Sequence, residues 1–237
     1  LGPVSFLRLS KTTDGSDPNS AQIIAGYASN IIAMYLKELQ GIDRIPYQID
    51  TSVRMLYNPE MKSAYNFVPG VMGMILMLIC AMMTSVSIAR EKENGTMEVL
   101  LVSPIKPFHI ILAKTVPYFV LSLVNMTTIL LLSVFLLGVP VAGSLFWLIV
   151  LSLLYIFVNL SLGLVISGIA QSQLVALLIS GMVLMLPVIM LSGMMFPVEN
   201  MPDFFQWLSQ LLPAKWYIIG AKKLMIKGLS VSAILPE

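Results

Sequence analysis

The densest run of charge in the sequence is Arg90-Glu91-Lys92-Glu93, directly followed by Asn94-Gly95-Thr96-Met97-Glu98-Val99-Leu100-Leu101-Val102-Ser103-Pro104. With neither histidine nor cysteine among them, these residues suit recognition and mechanical linkage rather than bond making. Asn94-Gly95 is suited to end a charged helical extension, and Thr96 to cap a new short helix. Glu98 then sits in the first turn, where the helix dipole favours an anion. Pro104 and Pro107 stop that helix. Met97, Leu100 and Leu101 form an apolar stripe beside Glu98, which gives a short amphipathic helix parallel to a membrane plane. Such a helix rests on lipid, or it is a lever that fits a groove in a cytoplasmic partner while the charged extension carries force into the preceding segment. The residues accommodate both readings.

Catalysis finds little support elsewhere. The chain holds no Walker A loop, no His-Glu-x-x-His and no nucleophile paired with a histidine at a recognisable spacing. The single Cys80 lies inside an apolar run, which excludes a disulfide framework and a thiolate metal site and leaves a packing residue. His109, the only histidine, stands where a polar loop meets an apolar run; without neighbouring ligands it reads as interfacial, and no metal site is expected. Asn125, Asn159, Gln171 and Gln173 either line a polar path or hydrogen-bond between helices, the commoner fate. Met72, Met74, Met77, Met82 and Met83 read as lipid-facing filler ahead of an adaptable ligand surface. Gly163 with Ser167, and Ala176 with Ser180, have the small-xxx-small spacing of close helix approach, which fits a dimer but is also frequent by chance.

The elements that must position these residues follow from composition. With 57% hydrophobic and 11% charged residues, the chain has too little ionic surface for a soluble domain and needs lipid around it. A net charge of +2 without a basic block excludes a nucleic-acid partner. Phe67 to Ala89 carries no charge, and about 20 such residues at 1.5 Å each cross a hydrocarbon core. Thr115 to Val198 is likewise free of Asp, Glu, Lys and Arg. Gly138-Val139-Pro140, Gly143 and Gln171-Ser172-Gln173 divide it. The expected fold is a polytopic α-helical membrane protein with four complete spans near 68–89, 114–138, 145–169 and 174–193. The loop from Arg90 to Lys114 carries Arg90, Lys92, Lys106 and Lys114, which places it in the cytoplasm by the positive-inside rule. By parity Lys215, Lys222, Lys223 and Lys227 fall on the opposite face and vote against that orientation.

Residues 1–66 read as part of an extracytoplasmic α+β domain. Asp14-Gly15-Ser16-Asp17-Pro18 is a turn cluster. Asn19 with Gln22 forms a capping box, Ile23, Tyr27, Ile31 and Met34 share a helical face, and Gly41 stops the helix. Residues 49 to 57 alternate with the two-residue period of a half-buried strand. At the far end, Asn200 and Pro202 mark a helix start, and Phe204, Phe205, Leu208, Leu211 and Leu212 pack one side of a short helix ended by Pro213. Trp207 and Trp216 suit the headgroup level. Leu1 is not an initiator methionine and no leader opens the chain, so a fragment is expected, with something following its last residues.

Tyr57-Asn58-Pro59-Glu60, Val68-Pro69-Gly70, the run Arg90 to Leu100, Ser103-Pro104 and Lys114 together resemble the permease subunits of ABC-2 type transporters, the branch with a large extracytoplasmic domain between its first two spans. The resemblance covers nearly the whole chain. It implies a six-span subunit of a bacterial inner-membrane exporter that forms a homo- or heterodimer with a second permease subunit. That dimer docks on a cytoplasmic ABC ATPase and, in some systems, works with a periplasmic adaptor. ATP and magnesium belong to the ATPase, so no cofactor is expected in this chain. The ATPase-coupling interface becomes Arg90, Glu91, Glu93, Gly95, Thr96, Glu98, Leu100 and Leu101 within a cytoplasmic segment 90–108. Residues 68–89 become the family's second span, 194–216 external re-entrant or interfacial helices, and 217–237 the lead-in to a last span. Asn125, Asn159, Phe196, Phe204 and Phe205 become candidates for the pathway and its outer gate. Two rival functions remain: a secondary transporter or channel, although the spans lack the carboxylates or cations of coupled carriers, and a membrane-anchored receptor or scaffold with an external ligand-binding domain. A pathway lined by Met, Phe, Leu and amides is compatible with lipids, amphiphilic drugs or peptides.

Overall fold

In hydrocarbon no water pairs with backbone N–H and C=O groups, so long apolar runs must satisfy them internally as helices. The computed structural model, which describes residues 7–14, 18–42, 49–58, 60–104, 106–194, 198 and 201–228, has that outcome. Among the described residues four helices are long and apolar enough to cross a membrane: Ala64–Glu93, Phe108–Phe135, Leu145–Ile169 and Gln173–Leu191. The protein is a polytopic α-helical membrane protein, and these spans are numbered first to fourth in their order along this sequence. The third begins and ends where its breakers predict. The second belongs to a helix Pro107–Phe135, starting well before the expected 114. Pro107 sits in its first turn, where a missing N–H removes no helical bond, so Lys106, His109 and Lys114 delay the apolar signal without delaying the helix. The first span extends to Glu93, carrying the charged run as one continuous helix.

Two spans contain π-helical turns, Leu78–Met83 in the first and Ser180–Met185 in the fourth, and these turns pack against one another. The Ser85 and Ser180 hydroxyls beside them lie 2.9 Å apart. Close approach relies on small residues. A side chain on Gly163 of the third span would bring its Cβ within 2.7 Å of the Ala81 carbonyl oxygen of the first. Ala89, Ala170 and Ala176 form a fully buried cluster joining the first span, the end of the third and the fourth. The small-residue spacings at Gly163 and Ala176 are therefore used for packing inside the chain, not left as a dimer face. Met72 and Met77 are buried as well, which corrects their reading as lipid-facing filler.

After the fourth span, helices Asp203–Gln210 and Pro213–Lys222 follow, the latter continuing as a π turn through Lys227 to Gly228 at φ 59°. Ala142 and Gly143, in the turn after the second span, donate backbone hydrogen bonds to the Met225 and Leu224 carbonyls at 2.8 and 3.0 Å. In an up-and-down bundle those segments belong on one side of the membrane, and here they meet.

The chain divides into two units, Leu1–Asn66 and Phe67–Glu237. In the first, strand β1 (Leu7–Asp14) pairs in parallel with β2 (Ile49–Leu56) from Leu7↔Ile49 to Asp14↔Leu56, with helix α1 (Pro18–Ile42) as the crossover that parallel pairing requires. Helix α1 starts at Pro18, so Asn19 lies within it instead of capping it, and the Gln22 amide donates to Met61 Sδ at 3.4 Å. Ala21 is buried, whereas Ile23, Tyr27, Ile31 and Met34 are exposed. The apolar face that marks α1 in the sequence is thus not the one against its own sheet. Turn residues 15–17 and the Gly15-Ser16 part of the turn cluster lie outside the described residues.

Candidate functional site

The charged run is the joint at which all four spans meet. Glu91 pairs with Lys114, two turns into the second-span helix. The Glu91 side chain is 18% exposed and that of Lys114 34%, so the pair is only partly screened by solvent. Lys92 reaches the end of the third span, its Nζ donating to the carbonyl oxygens of Ser167, Gly168 at 3.3 Å and Ala170 at 3.5 Å. Glu93 reaches the start of the fourth: its Oε2 accepts from the Gln173 backbone N–H at 2.8 Å and from the Gln173 side-chain amide at 3.3 Å. The last carbonyls and first N–H groups of a helix have no partners within it and carry its negative and positive poles. A lysine on the former and a glutamate on the latter supply both hydrogen bonds and matching charge. Gln173, for which the sequence favoured a hydrogen bond between helices over a polar path, makes that bond at the start of its helix.

The chain then breaks at Asn94-Gly95. Asn94 donates to the Arg90 carbonyl at 3.0 Å and Gly95 to that of Lys92 at 3.1 Å, with Gly95 at φ 71°. Such a left-handed residue ends a helix at no steric cost when it is glycine. Thr96 opens the short helix Thr96–Val102, but its hydroxyl does not cap it; Oγ1 donates back to the Glu91 carbonyl at 3.2 Å. Glu98 and Pro104 are exposed, as are Lys106, Phe108 and His109, and Val102 is 87% exposed. The side chains of Leu100 and Leu101 lie outside the described residues.

Of the pathway candidates, Asn125 and Asn159 lie on the second and third spans and Phe204 and Phe205 on the helix Asp203–Gln210. Asn125 is half-buried on the second span. Asn159 is fully buried on the third, its amide donating to the Tyr155 carbonyl at 2.7 Å, while its Oδ1 has no partner among the described residues. Phe204 and Phe205 are exposed on Asp203–Gln210 with their rings edge-on at 5.5 Å, and Trp207 is exposed beside them. Phe196 lies outside the described residues, as do Pro197 and Asn200. A contact not foreseen from the sequence ties the end of the chain to the bundle: Tyr217 stacks on Tyr155 with ring centroids 4.2 Å apart, and its hydroxyl lies 3.0 Å from Ser152 Oγ. Tyr155 donates to the Gly73 carbonyl at 3.0 Å. The only hint was Gly73 itself, where a Cβ would come within 2.9 Å of the Tyr217 ring. Cys80 packs as expected, with Sγ 3.0 Å from Ser122 Oγ on the second span. Outside the spans, Lys62 at 2.6 Å holds the Glu60 carboxyl below its ordinary value.

Residues 7–237 match the ABC-2 family transporter proteins. The chain belongs to that family. Among its relatives is the probable multidrug ABC transporter permease YbhS of Escherichia coli, 35% identical over 218 residues, which are 91% of this chain and 58% of YbhS. The probable multidrug ABC transporter permease YbhR of the same organism is 34% identical over 93% of this chain and 60% of its own. ABC transporter G family member 20 of Dictyostelium discoideum is 28% identical over 73% of this chain and 24% of its own. The chain thus spans about three fifths of the two bacterial relatives. No solved structure matches it.

Proposed function

We propose that this ABC-2 family chain is the membrane-spanning permease part of an ATP-driven exporter of the bacterial inner membrane, which performs no covalent chemistry itself. A separate cytoplasmic ATPase supplies the energy, and a second permease subunit completes the transport unit. The observation that supports this most directly is the joint at Arg90–Glu93: one short run bonded to the other three spans, followed by a helix whose Glu98 and Val102 are unoccupied by the bundle and exposed. Force applied to such a helix reaches every span. On this reading Arg90 to Phe108 faces the cytosol, and the ATPase contacts Glu98, Val102, Pro104 and Phe108. Glu91 and Glu93 then work from behind that surface, and Gly95 and Thr96 set its angle. Phe204, Phe205 and Trp207 lie at the outer headgroup level. The relatives named multidrug permeases make amphiphilic small molecules the cargo to test first.

The test is capture of the ATPase by the tagged full-length subunit. Glu98→Lys with Val102→Asp should reduce ATPase recovery at least tenfold while membrane insertion is unchanged; recovery at the unmodified level would sink the assignment. Labelling a cysteine placed at Asn94 with an impermeant reagent added outside intact cells would reverse the orientation.

A further inference from the structure

We infer that Lys92 and Glu93 clip the turn between the third and fourth spans to the short helix Thr96–Val102, so that both move as one piece when a motor acts on either. The inference rests on the force-transmitting reading above and adds a second element that carries the force. The turn, Ala170-Gln171-Ser172, carries no charge of its own. Its two flanking helix ends present poles of opposite sign within a few residues, the carbonyls of Ser167, Gly168 and Ala170 and the N–H of Gln173. Two consecutive residues of the first span, one cationic and one anionic, meet those poles in matching order. Reversing the pair would set each charge against its like pole without altering net charge. Beneath the clip Ala89, Ala170 and Ala176 pack in one fully buried cluster, so the same three helix ends are also held by close packing. Above it, Glu93 and Thr96 are separated only by Asn94-Gly95, whose N–H groups, with the Thr96 hydroxyl, bond back to Arg90, Lys92 and Glu91. The turn and the short helix are therefore joined through the same few residues.

The test uses the full-length subunit with its ATPase, Glu93→Cys and Gln173→Cys being introduced with Cys80→Ala and any other cysteine replaced. A short bis-methanethiosulfonate applied to membranes should cross-link most of the protein, with a yield changed less than twofold by ATP or vanadate, and cross-linked subunits should transport at least as well as reduced ones, in which the Glu93 grip is missing. Failure to cross-link, a fivefold fall in yield with nucleotide, or a block of transport released by reductant would overturn the inference. As a second arm, Lys92→Glu with Glu93→Lys should lower transport per ATP hydrolysed about tenfold with ATPase capture retained, whereas Lys92→Arg should preserve it; an unaltered ratio in the exchanged pair would count equally against the clip. If no ATPase binds the unmodified subunit, the exporter reading falls, and the cross-linking yield in membranes alone judges the clip.

Discussion

The first and second spans are both apolar helices of similar length, yet 50% of the most apolar stretch of the first is buried inside the chain against 17% for the second. Lipid is as apolar as leucine, so hydrophobicity does not decide which helix is central; the ability to approach closely does. The first span offers Gly70, Gly73, Cys80, Ala81, Thr84, Ser85 and Ala89 to its neighbours. The second presents Val120, Leu121, Val124, Leu131 and Leu132 outward. It is held by a few contacts: the Glu91–Lys114 pair, Ser122 against Cys80, and Phe119 against Phe157 with centroids at 5.1 Å. The central helix is thus marked by what it lacks in side-chain bulk.

The contrast is most sharply tested where the first span meets the third. Gly163→Val should destabilise the protein by about 3 kcal/mol in detergent unfolding, because the new methyls press on Ala81 backbone that cannot rotate away. Gly168→Ala, one turn on with nothing within 4 Å, should instead be neutral or stabilise by up to about 1 kcal/mol. Equal melting temperatures for the two would break the comparison. Gly73→Ala should cost about 2 kcal/mol, since its Cβ meets the buried, stacked Tyr217 ring. A double-mutant cycle on Glu91→Gln and Lys114→Met should return a coupling of about 1 kcal/mol, weakened by salt, as suits a partly exposed pair; zero coupling would mean that the second span is held by packing alone. Smallest of all, Val124→Ala on the outward face should change stability by less than about 0.5 kcal/mol, and a larger loss would show that another helix covers that face.

What could be read from the sequence divides along similar lines. The third and fourth spans are bounded by glycine, proline and glutamine breakers, and the helices begin and end close to them. The start of the second was hidden because Lys106, His109 and Lys114 keep its first turns polar. Arg90–Glu93 stood out as a functional run, but the partners of Lys92 and Glu93 are mainly main-chain groups at helix ends, which no pattern of side chains announces. Thr96 has the side chain of a cap, yet its hydroxyl turns to the Glu91 carbonyl once Gly95 has reversed the chain. Strand β1 escaped notice because its recognition depends on pairing with β2, some forty residues away. In α1 the apolar stripe is real, but periodicity reports that a face exists, not what covers it.

The π turn at Leu78–Met83 sets the rotational phase of everything beyond it. A π turn holds one residue more than the α turn it replaces, and one residue is about 100° of helix rotation. Deleting a single residue there would leave a regular, equally greasy helix with its lower half swivelled by that angle. Lys92 and Glu93 would then point away from the ends they grip, and loss of cross-linking between positions 93 and 173 would report it. The irregularity serves as a keyway that fixes the azimuth at which the charged end of the rod is presented.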